Sequence, residues 1–283
     1  MAQFASNRSI TVGDFKITYL NDGGGYITPT AMFPASTDAG WSNYSRLMDD
    51  QGRLVVSIGG FLIETGDHKI VMDLGFGPQT VEFPGFGPFI GGKFMESFAE
   101  TGLAREDVTA VVYTHLHLDH VGWTSIEVNG KRELTFPSAK HLCTQADWDF
   151  WMADESGMGP HPDAVVAPVK DVIEFVNAGD TIAPGVTVMD TTGHTPGHIS
   201  LHIDAGDQEV FMIVDLLHNE AQFYEADWSV AFDIDPAAAK ATREAMYPRL
   251  NRPNVIVTDG HFADAVFGRV TNDSGKWVWT PLE

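Results

Sequence analysis

The sequence predicts an α/β fold in which layers of sheet are covered by helices. Short apolar stretches typical of strands alternate along the chain with stretches of helical character. Hydrophobic residues make up 43% of the 283 residues, which is enough to fill a sizeable core and excludes a wholly disordered chain. No repeat or linker divides the sequence, so we expect residues 1–283 to form one domain.

Local patterns predict the individual strands and helices. Residues 108–113 form a short continuous apolar run, which is typical of a strand buried on both faces. Residues 235–250 form the clearest helix, because Asp235 can cap it and Pro236 occupies its first position. Strands are predicted at residues 9–19, 54–64, 69–73, 108–113, 185–190, 198–203, 210–214 and 254–258. Helices are predicted at residues 95–106, 146–153 and 235–250.

Two stretches, residues 21–50 and 75–95, are rich in glycine, proline and aromatic residues and resist assignment to strand or helix. Long loops of this composition are often binding loops or lids, so we assign both stretches to a substrate pocket or its lid. Phe83 and Phe86 are the predicted substrate contacts. The alternative, in which these rings only fill core space, is equally open at the level of sequence.

The charge balance narrows the choice of partner. The chain has 17 Lys and Arg against 39 Asp and Glu, a net charge of −22 at pH 7, and no basic stripe, which argues against nucleic acid and favours a small-molecule substrate. No apolar run is long enough to cross a membrane and no signal pattern is visible, so a cytoplasmic location is expected. The single cysteine, Cys143, excludes an internal disulfide. A homodimer through the apolar N-terminal segments is left open.

The segment directly after the apolar run 108–113 carries the strongest functional signal. In extended chain, residues two apart point the same way, so His115 and His117 can share one metal ion. Asp119 and His120 follow where the chain must turn, and they can face a second ion. Imidazole and carboxylate suit zinc and similar divalent ions, whereas burying so many unpartnered polar groups would cost several kcal/mol.

Other apolar runs also end in metal-ligating residue types. His194 follows the strand at 185–190, Asp215 follows the strand at 210–214, and His261 follows the strand at 254–258. Any one of these residues alone could be a helix cap or an ordinary loop residue. Because ligand sites of layered α/β folds lie beyond the carboxyl ends of strands, we expect the segments to converge.

In this order and spacing, the segments resemble the metallo-β-lactamase superfamily of hydrolases. A hairpin at residues 62–75 that carries Asp73 adds to the resemblance, which covers residues 54–261. The resemblance implies a four-layer αββα sandwich with a binuclear metal site at one edge. It implies one metal held by His115, His117 and His194, a second held by Asp119, His120 and His261, and Asp215 bridging both. It also implies that Asp73 supports the ligands by hydrogen bonding, and that His198 has a supporting or structural role.

Within the superfamily, the lactone and ester hydrolases fit best, a branch that includes acyl-homoserine lactonases and methyl parathion hydrolases. A bridging Asp215 argues against true β-lactamases, and the excess of acidic over basic residues argues against the nuclease branch. The segment from Asp215 onward looks most like the methyl parathion hydrolases. Many acyl-homoserine lactonases carry a tyrosine three residues after the bridging aspartate, where this chain has His218. A glyoxalase of the second type and a one-iron persulfide dioxygenase stay open on the motif alone.

The resemblance therefore implies cleavage of a small hydrophobic lactone or carboxylic ester by a hydroxide that bridges two metal ions. Zinc is the expected metal, with manganese, cobalt or iron as alternatives. Asp119 is the candidate proton carrier and His218 the candidate acid for the leaving group, although a packing role for His218 is equally open. The main alternative function is hydrolysis of organophosphate triesters. The alternative of another class is a mononuclear-iron dioxygenase or a non-catalytic metal-binding protein.

Overall fold

A computed structural model describes residues 1–282. In this part of the chain, two large sheets pack face to face and helices cover their outer faces, so the four-layer αββα sandwich is confirmed. Side chains from both sheets form the core between them, among them Phe61 and Met72 from the first sheet and Val188 and Met212 from the second. Their burial drives the packing of the two sheets.

The elements have the following bounds. The strands are β1 (Arg8–Val12), β2 (Phe15–Ile27), β3 (Leu54–Thr65), β4 (His68–Met72), β5 (Thr80–Phe83), β6 (Gly87–Ile90), β7 (Ala110–Val112), β8 (Ser125–Val128), β9 (Lys131–Leu134), β10 (Lys140–Cys143), β11 (Ile173–Phe175), β12 (Thr181–Ala183), β13 (Val186–Asp190), β14 (Ile199–Asp204), β15 (Glu209–Met212), β16 (Val255–Thr258), β17 (Phe267–Asp273) and β18 (Lys276–Pro281). The α-helices are α1 (Pro29–Met32), α2 (Asp38–Trp41), α3 (Phe94–Ala99), α4 (Leu118–Val121), α5 (Gln145–Ala153), α6 (Ala167–Val169) and α7 (Pro236–Leu250). Other helical turns lie at Ser42–Leu47, Arg105–Asp107, Pro162–Val166, Val214–Leu216 and Glu220–Phe223.

Strand direction places several strand ends at a common edge. The first sheet has the order β11-β10-β7-β4-β3-β2-β6-β5, with β1 also paired to β2, and β4, β7, β10 and β11 run parallel. The second sheet has the order β12-β13-β14-β15-β16-β17-β18. Because β13 and β15 are both antiparallel to β14, and β16 is parallel to β15, the chain leaves β13, β15 and β16 at the same edge.

Helices form the two outer layers. α3 and α5 pack on the first sheet through Phe94, Phe98 and Trp151, and α7 packs on the second sheet through Met246 and Leu250. α7 begins as predicted, since the Asp235 carboxylate accepts a hydrogen bond of 3.0 Å from the Ala238 amide. Among residues 1–282, no helix combines the length and the apolar composition that a membrane crossing requires.

The stretches predicted as loops are partly strand. Residues 21–27 complete β2, and β5 and β6 form a hairpin that pairs with β2, so only parts of residues 21–50 and 75–95 are irregular. The glycines after residue 22 allow close packing here, because a Cβ on Gly24 would lie 2.2 Å from Val56 O. The glycines on which the loop prediction rests therefore belong to β2, where they allow it to pack closely against β3.

Two other element predictions need correction. The strand predicted at 9–19 is a hairpin of β1 and β2 that turns at Gly13, whose φ is +55°. The helix predicted at 95–106 ends at Ala99, because Gly102 adopts a φ of +79° and turns the chain out of the helix. Both errors come from glycines that end an otherwise continuous pattern.

A buried carboxylate ties the β5–β6 hairpin to the motif segment. Asp22 is fully buried and accepts hydrogen bonds of 2.7–3.0 Å from the amides of Phe76, Gly77, Gly92 and Phe94 and from the Trp123 indole. These donors flank the hairpin and α4, so Asp22 holds the segments around the pocket described below.

Replacing Asp22 by asparagine should destabilise the protein. The new amide group would place its own N–H atoms against N–H donors, which we expect to cost roughly 3 kcal/mol of unfolding free energy. Urea unfolding monitored by circular dichroism measures this. The matched control is Asp14→Asn at the exposed β1–β2 turn, which removes the same charge. Equal stability of the two variants would contradict the role of Asp22.

Candidate metal centre

The predicted ligand segments meet where strands of both sheets end. Residues 114–120 follow β7 in the first sheet, whereas His194, Asp215 and His261 follow β13, β15 and β16 in the second. Their ligand atoms form groups in which all atoms lie within 4.8 Å of one another. The groups are His115, His117, His194 and Asp215; Asp119, His120 and His261; and Asp215, His218 and His261. The convergence that the sequence predicts is therefore present in the structure.

Asp215 lies at the centre of these groups. It is only 4% exposed, and its two carboxylate oxygens face imidazole nitrogens from every side. The distances are 3.0 Å to His218 Nε2 and His261 Nε2, 3.2 Å to His194 Nε2, 3.3 Å to His120 Nε2 and 3.6 Å to His115 Nε2. One oxygen faces His115 and His194, and the other faces His120 and His261. This is the placement that a bridging ligand requires.

Imidazole nitrogens face one another in the first group. His117 Nδ1 lies 2.9 Å from both His115 Nε2 and His194 Nε2. His194 Nδ1 donates to Asp233 Oδ1 at 2.9 Å, which directs its Nε2 at the group. Nitrogens that face one another in a buried site repel unless a proton or a metal ion lies between them.

The second group has the same construction. His120 Nδ1 donates to Asp73 Oδ2 at 3.0 Å, and His261 Nδ1 donates to the Ser57 carbonyl at 2.9 Å. The Nε2 atoms of both rings point inward, 3.7 and 3.9 Å from Asp119 Oδ2. The Asp119 side chain is 19% exposed, so it is more open to the pocket than the histidines beside it.

Asp73 also fixes the start of the motif loop. Its carboxylate accepts hydrogen bonds of 2.8 Å from both the amide and the hydroxyl of Thr114. The residue adopts a φ of +60°, a left-handed conformation that turns the chain at the end of β4 and aims its side chain at Thr114 and His120. The supporting role predicted for Asp73 agrees with these contacts.

The electrostatics favour bound cations. Burial, followed by the neighbouring imidazoles, lowers the pKa of His115 and His117 well below the usual value, so both rings are neutral donors. Burial also opposes protonation of His194 and His261, but the adjoining carboxylates outweigh it and raise the pKa of each to about 9. Burial raises the pKa of Asp215, yet the surrounding histidines hold it well below its usual range. The carboxylate is thus ionised and attracts positive charge.

The donor set fits divalent metal ions. Two ligand atoms on a tetrahedral zinc ion are about 3.3 Å apart, and the inward-facing atoms of the cluster lie 2.9–3.9 Å apart. The outward nitrogens of His120, His194 and His261 have partners that fix their tautomers, which is the usual outer support of metal-binding histidines. His120 Nε2 and Asp215 Oδ1 have no hydrogen-bond partner in the described structure, as expected for ligand atoms.

The two remaining predicted histidines lie beside the cluster. His198 is fully buried, its Nδ1 lies 3.0 Å from the Thr191 carbonyl, and its ring centroid lies 5.2 Å from that of His115. It therefore packs behind the site. His218 instead lines the pocket, stacks on His261 and has its Nε2 directed at Asp215.

Asp233 contacts the candidate site, and sequence reasoning did not assign it a role. It fixes His194, and its other carboxylate oxygen lies 3.7 Å from the guanidinium of Arg243, which is 1% exposed in α7. In the sequence, Asp233 stands just before the predicted helix, within the segment that resembles the methyl parathion hydrolases. Neither observation reveals a contact with a loop 39 residues away.

The cluster forms the floor of an apolar pocket with a volume of about 700 Å³ including its open mouth. Beyond the cluster, the walls are Ile27, Met32, Val56, Phe83, Phe86, Phe89, Leu118, Met158 and Phe232. The structure thus places Phe83 and Phe86 in the pocket wall, where Phe86 packs on Phe232 with ring centroids 5.2 Å apart. Phe83 and Leu118 also line a wider cleft beside the pocket.

The family follows from this geometry together with a direct match. The family model described as "Metallo-beta-lactamase superfamily" matches residues 60–261, which contain all the ligand segments. The chain belongs to the metallo-β-lactamase superfamily. The resemblance inferred from the sequence is confirmed, and this membership makes the chain a metallo-hydrolase of the superfamily.

Several relatives in the superfamily are lactonases by name. The chain is 22% identical over 214 residues to the N-acyl homoserine lactonase AiiA of Bacillus thuringiensis subsp. kurstaki, covering 71% of this chain and 79% of that protein. It is similar in structure to AidC, described as a dizinc quorum-quenching lactonase, with a TM-score of 0.83, 20% identity and 99% coverage of both chains. The hydrolase AbOPH of the same superfamily gives a TM-score of 0.81 and 24% identity, again with 99% coverage of both chains.

Replacing Asp215 by alanine should remove metal. Because its oxygens face both ligand groups, we expect the metal content to fall to about one ion or fewer per chain, against about two in the wild type. Elemental analysis after dialysis against metal-free buffer measures this. Asp207→Ala, at an exposed position in the β14–β15 turn, is the control with the same loss of charge. Two ions retained by Asp215→Ala would overturn the bridging assignment.

Proposed function

We propose that the protein is a binuclear metal-dependent hydrolase of small apolar lactones or carboxylic esters. The observation that carries the proposal is the composition of the pocket, in which the floor is a cluster of metal-ligating side chains and the walls are apolar. Such a pocket accepts a substrate whose polar atoms lie together at the reacting bond and whose other parts are hydrocarbon.

The proposed ligand sets are those that the family resemblance implies. His115, His117 and His194 would hold one ion, Asp119, His120 and His261 the other, and Asp215 both. When bound, two divalent ions lower the pKa of bound water and polarise the ester oxygen. Zinc suits the mixed imidazole and carboxylate set and is the proposed metal.

Asp119 and His218 are the proposed proton-handling groups. Asp119 Oδ2 is the more open carboxylate of the cluster and can hold a proton next to the reacting bond. Burial, only partly opposed by Asp215, lowers the pKa of His218, so its ring is neutral and carries one proton. The neutral ring lines the pocket, so it could take up the proton that the attacking water releases and, as an imidazolium, donate it to the leaving oxygen.

The apolar walls favour substrates without an amide. The N-acyl homoserine lactones named for the relatives carry an amide N–H and C=O beside the lactone ring. In the described chain, the pocket offers polar side chains only at its floor. An amide buried against the walls would lose its partners at a cost of about 1–3 kcal/mol for each unpaired group. We therefore propose alkyl lactones or aryl esters as substrates.

Organophosphate triesters are the second candidate. A triester also keeps its polar atoms at the reacting centre and carries apolar substituents, so the same walls suit it. The cytoplasmic location and the homodimer stay predictions from the sequence.

A substrate panel tests the proposed function. On zinc-reconstituted enzyme, we expect kcat/KM for an alkyl lactone to exceed that for an N-acyl homoserine lactone of equal length at least about tenfold, because the amide goes unpaired. Dialkyl aryl phosphotriesters form the third arm. Asp215→Ala is the control for metal dependence.

Each other result of the panel has a distinct meaning. Preference for the N-acyl homoserine lactone would refute the claim that the apolar walls disfavour an amide. Preference for the phosphotriester would favour the second candidate function. Failure to cleave any substrate with two ions bound would favour a non-catalytic metal-binding protein. One iron ion per chain would favour a dioxygenase.

Replacing His218 by phenylalanine separates proton donation from metal binding. The ring should keep its stacking on His261, so we expect two bound ions and a kcat roughly 10²-fold lower. Stopped-flow kinetics and elemental analysis measure the two quantities. The control is His68→Phe at the start of β4, away from the pocket. Loss of an ion would show that His218 is a ligand. An unchanged kcat with two bound ions would show that His218 neither donates a proton nor binds metal.

A further inference from the structure

The N-terminal turn of α5 contacts both loops that carry the first ligand group. The Asp147 side chain is completely buried. Its Oδ2 accepts a hydrogen bond of 2.7 Å from the amide of Leu116, which lies between His115 and His117. Its Oδ1 accepts a hydrogen bond of 3.3 Å from the amide of Gly197, in the loop of His194.

Thr144, the N-cap of α5, reinforces the second of these contacts. Its hydroxyl donates to the Gly197 carbonyl at 2.8 Å and accepts from the Asp147 amide at 3.2 Å. The approach is so close that a Cβ on Gly197 would lie 2.1 Å from Thr144 Oγ1 and 2.4 Å from Asp147 N. Glycine is therefore required where the His194 loop crosses α5.

The same face of α5 also contacts a ligand ring. Trp151 lies four residues after Asp147, on the same side of the helix. Its ring meets that of His117 edge-on, with centroids 4.8 Å apart. One helix thus contacts the backbone of the motif loop, the backbone of the His194 loop and the side chain of His117.

We propose that Asp147 is a positioning residue that sets the spacing of His117 and His194 by tying their loops together. The inference rests on the proposed function, since it concerns the metal held by the first group. The two loops extend from different sheets. A backbone hydrogen bond of 3.0 Å from Ile199 N to Thr114 O joins them only where they meet the strands. Asp147 joins the loops themselves, next to the ligands, where a small displacement changes the geometry of metal binding.

Metal binding by the variant Asp147→Asn tests the proposal. Asparagine keeps one acceptor but turns an NH₂ group towards a backbone N–H, so one loop is released. Competition between Zn²⁺ and a chelator gives the dissociation constants, and ¹¹³Cd NMR gives a separate resonance for each site. We expect the constant of the first site to rise about 10–100-fold and that of the second site to stay unchanged.

Two further variants make the result interpretable. Asp149→Asn removes the same charge from an exposed position of α5, where the side chain bonds only to Gln145 in the contacts described, and should bind as the wild type does. Gly197→Ala displaces the His194 loop from the other side without altering the Asp147 carboxylate, and it should reproduce the selective loss. Thermal unfolding of the metal-free proteins checks that each variant folds.

The possible outcomes differ clearly. Wild-type affinity at the first site in Asp147→Asn and Gly197→Ala would overturn the proposal. Equal weakening of both sites together with a lower Tm of the metal-free protein would also overturn it, because Asp147 would then serve general stability. If the wild type itself fails to bind two ions, the proposed function is wrong, independently of Asp147.

Discussion

The buried carboxylate of Asp215 is the constraint on which the rest of the site depends. A carboxylate that is 4% exposed has lost most of its hydration, and its burial costs several kcal/mol unless positive charge compensates it. Its neighbours are imidazoles: burial keeps His115 neutral, whereas the adjoining carboxylates raise the pKa of His194 and His261 to about 9, so these two rings can carry compensating protons. Cations placed between the carboxylate and the imidazole lone pairs would compensate both groups at once. Metal ions can thus replace the protons that the cluster otherwise needs, and the arrangement suits a metal centre, which agrees with the superfamily to which the chain belongs.

The scaffold holds these charged groups in place from all four layers. The proposed ligands follow strands of both sheets at one edge, and rigid strands limit how far the candidate ligand atoms can move. The outer layers then add carboxylates that orient the ligands indirectly. Asp233, before α7, fixes the His194 ring, whereas Asp147, on α5, fixes the loops that carry His117 and His194. Helices on opposite faces of the sandwich thus converge on one ligand, so the position of His194 depends on the correct docking of both outer layers.

The part of the site that could be predicted from sequence is the part encoded locally. His115, His117, Asp119 and His120 are informative because their spacing has meaning within one strand and one turn, and a family resemblance orders the distant ligands. Asp22 and Asp147 carry no such signal, because a buried aspartate that accepts backbone amides is recognisable only once the donors have been brought to it by the fold. Glycine caused the errors in the elements for a related reason. Gly24 permits close strand packing whereas Gly102 ends a helix, and the sequence alone does not distinguish the two uses.

The charge of the whole chain bears on the proposed reaction. Two divalent ions would bring four positive charges to a cluster whose proposed ligand carboxylates are Asp119 and Asp215, so the floor of the pocket would be positive within a protein of net charge −22. A neutral lactone or ester can approach such a surface without electrostatic cost. Hydrolysis converts it into a carboxylate, which the positive floor attracts and the acidic exterior repels. The apolar walls strengthen the attraction by keeping the local dielectric low, and therefore release of the anionic product, rather than entry of the neutral substrate, is the step at which charge should limit turnover.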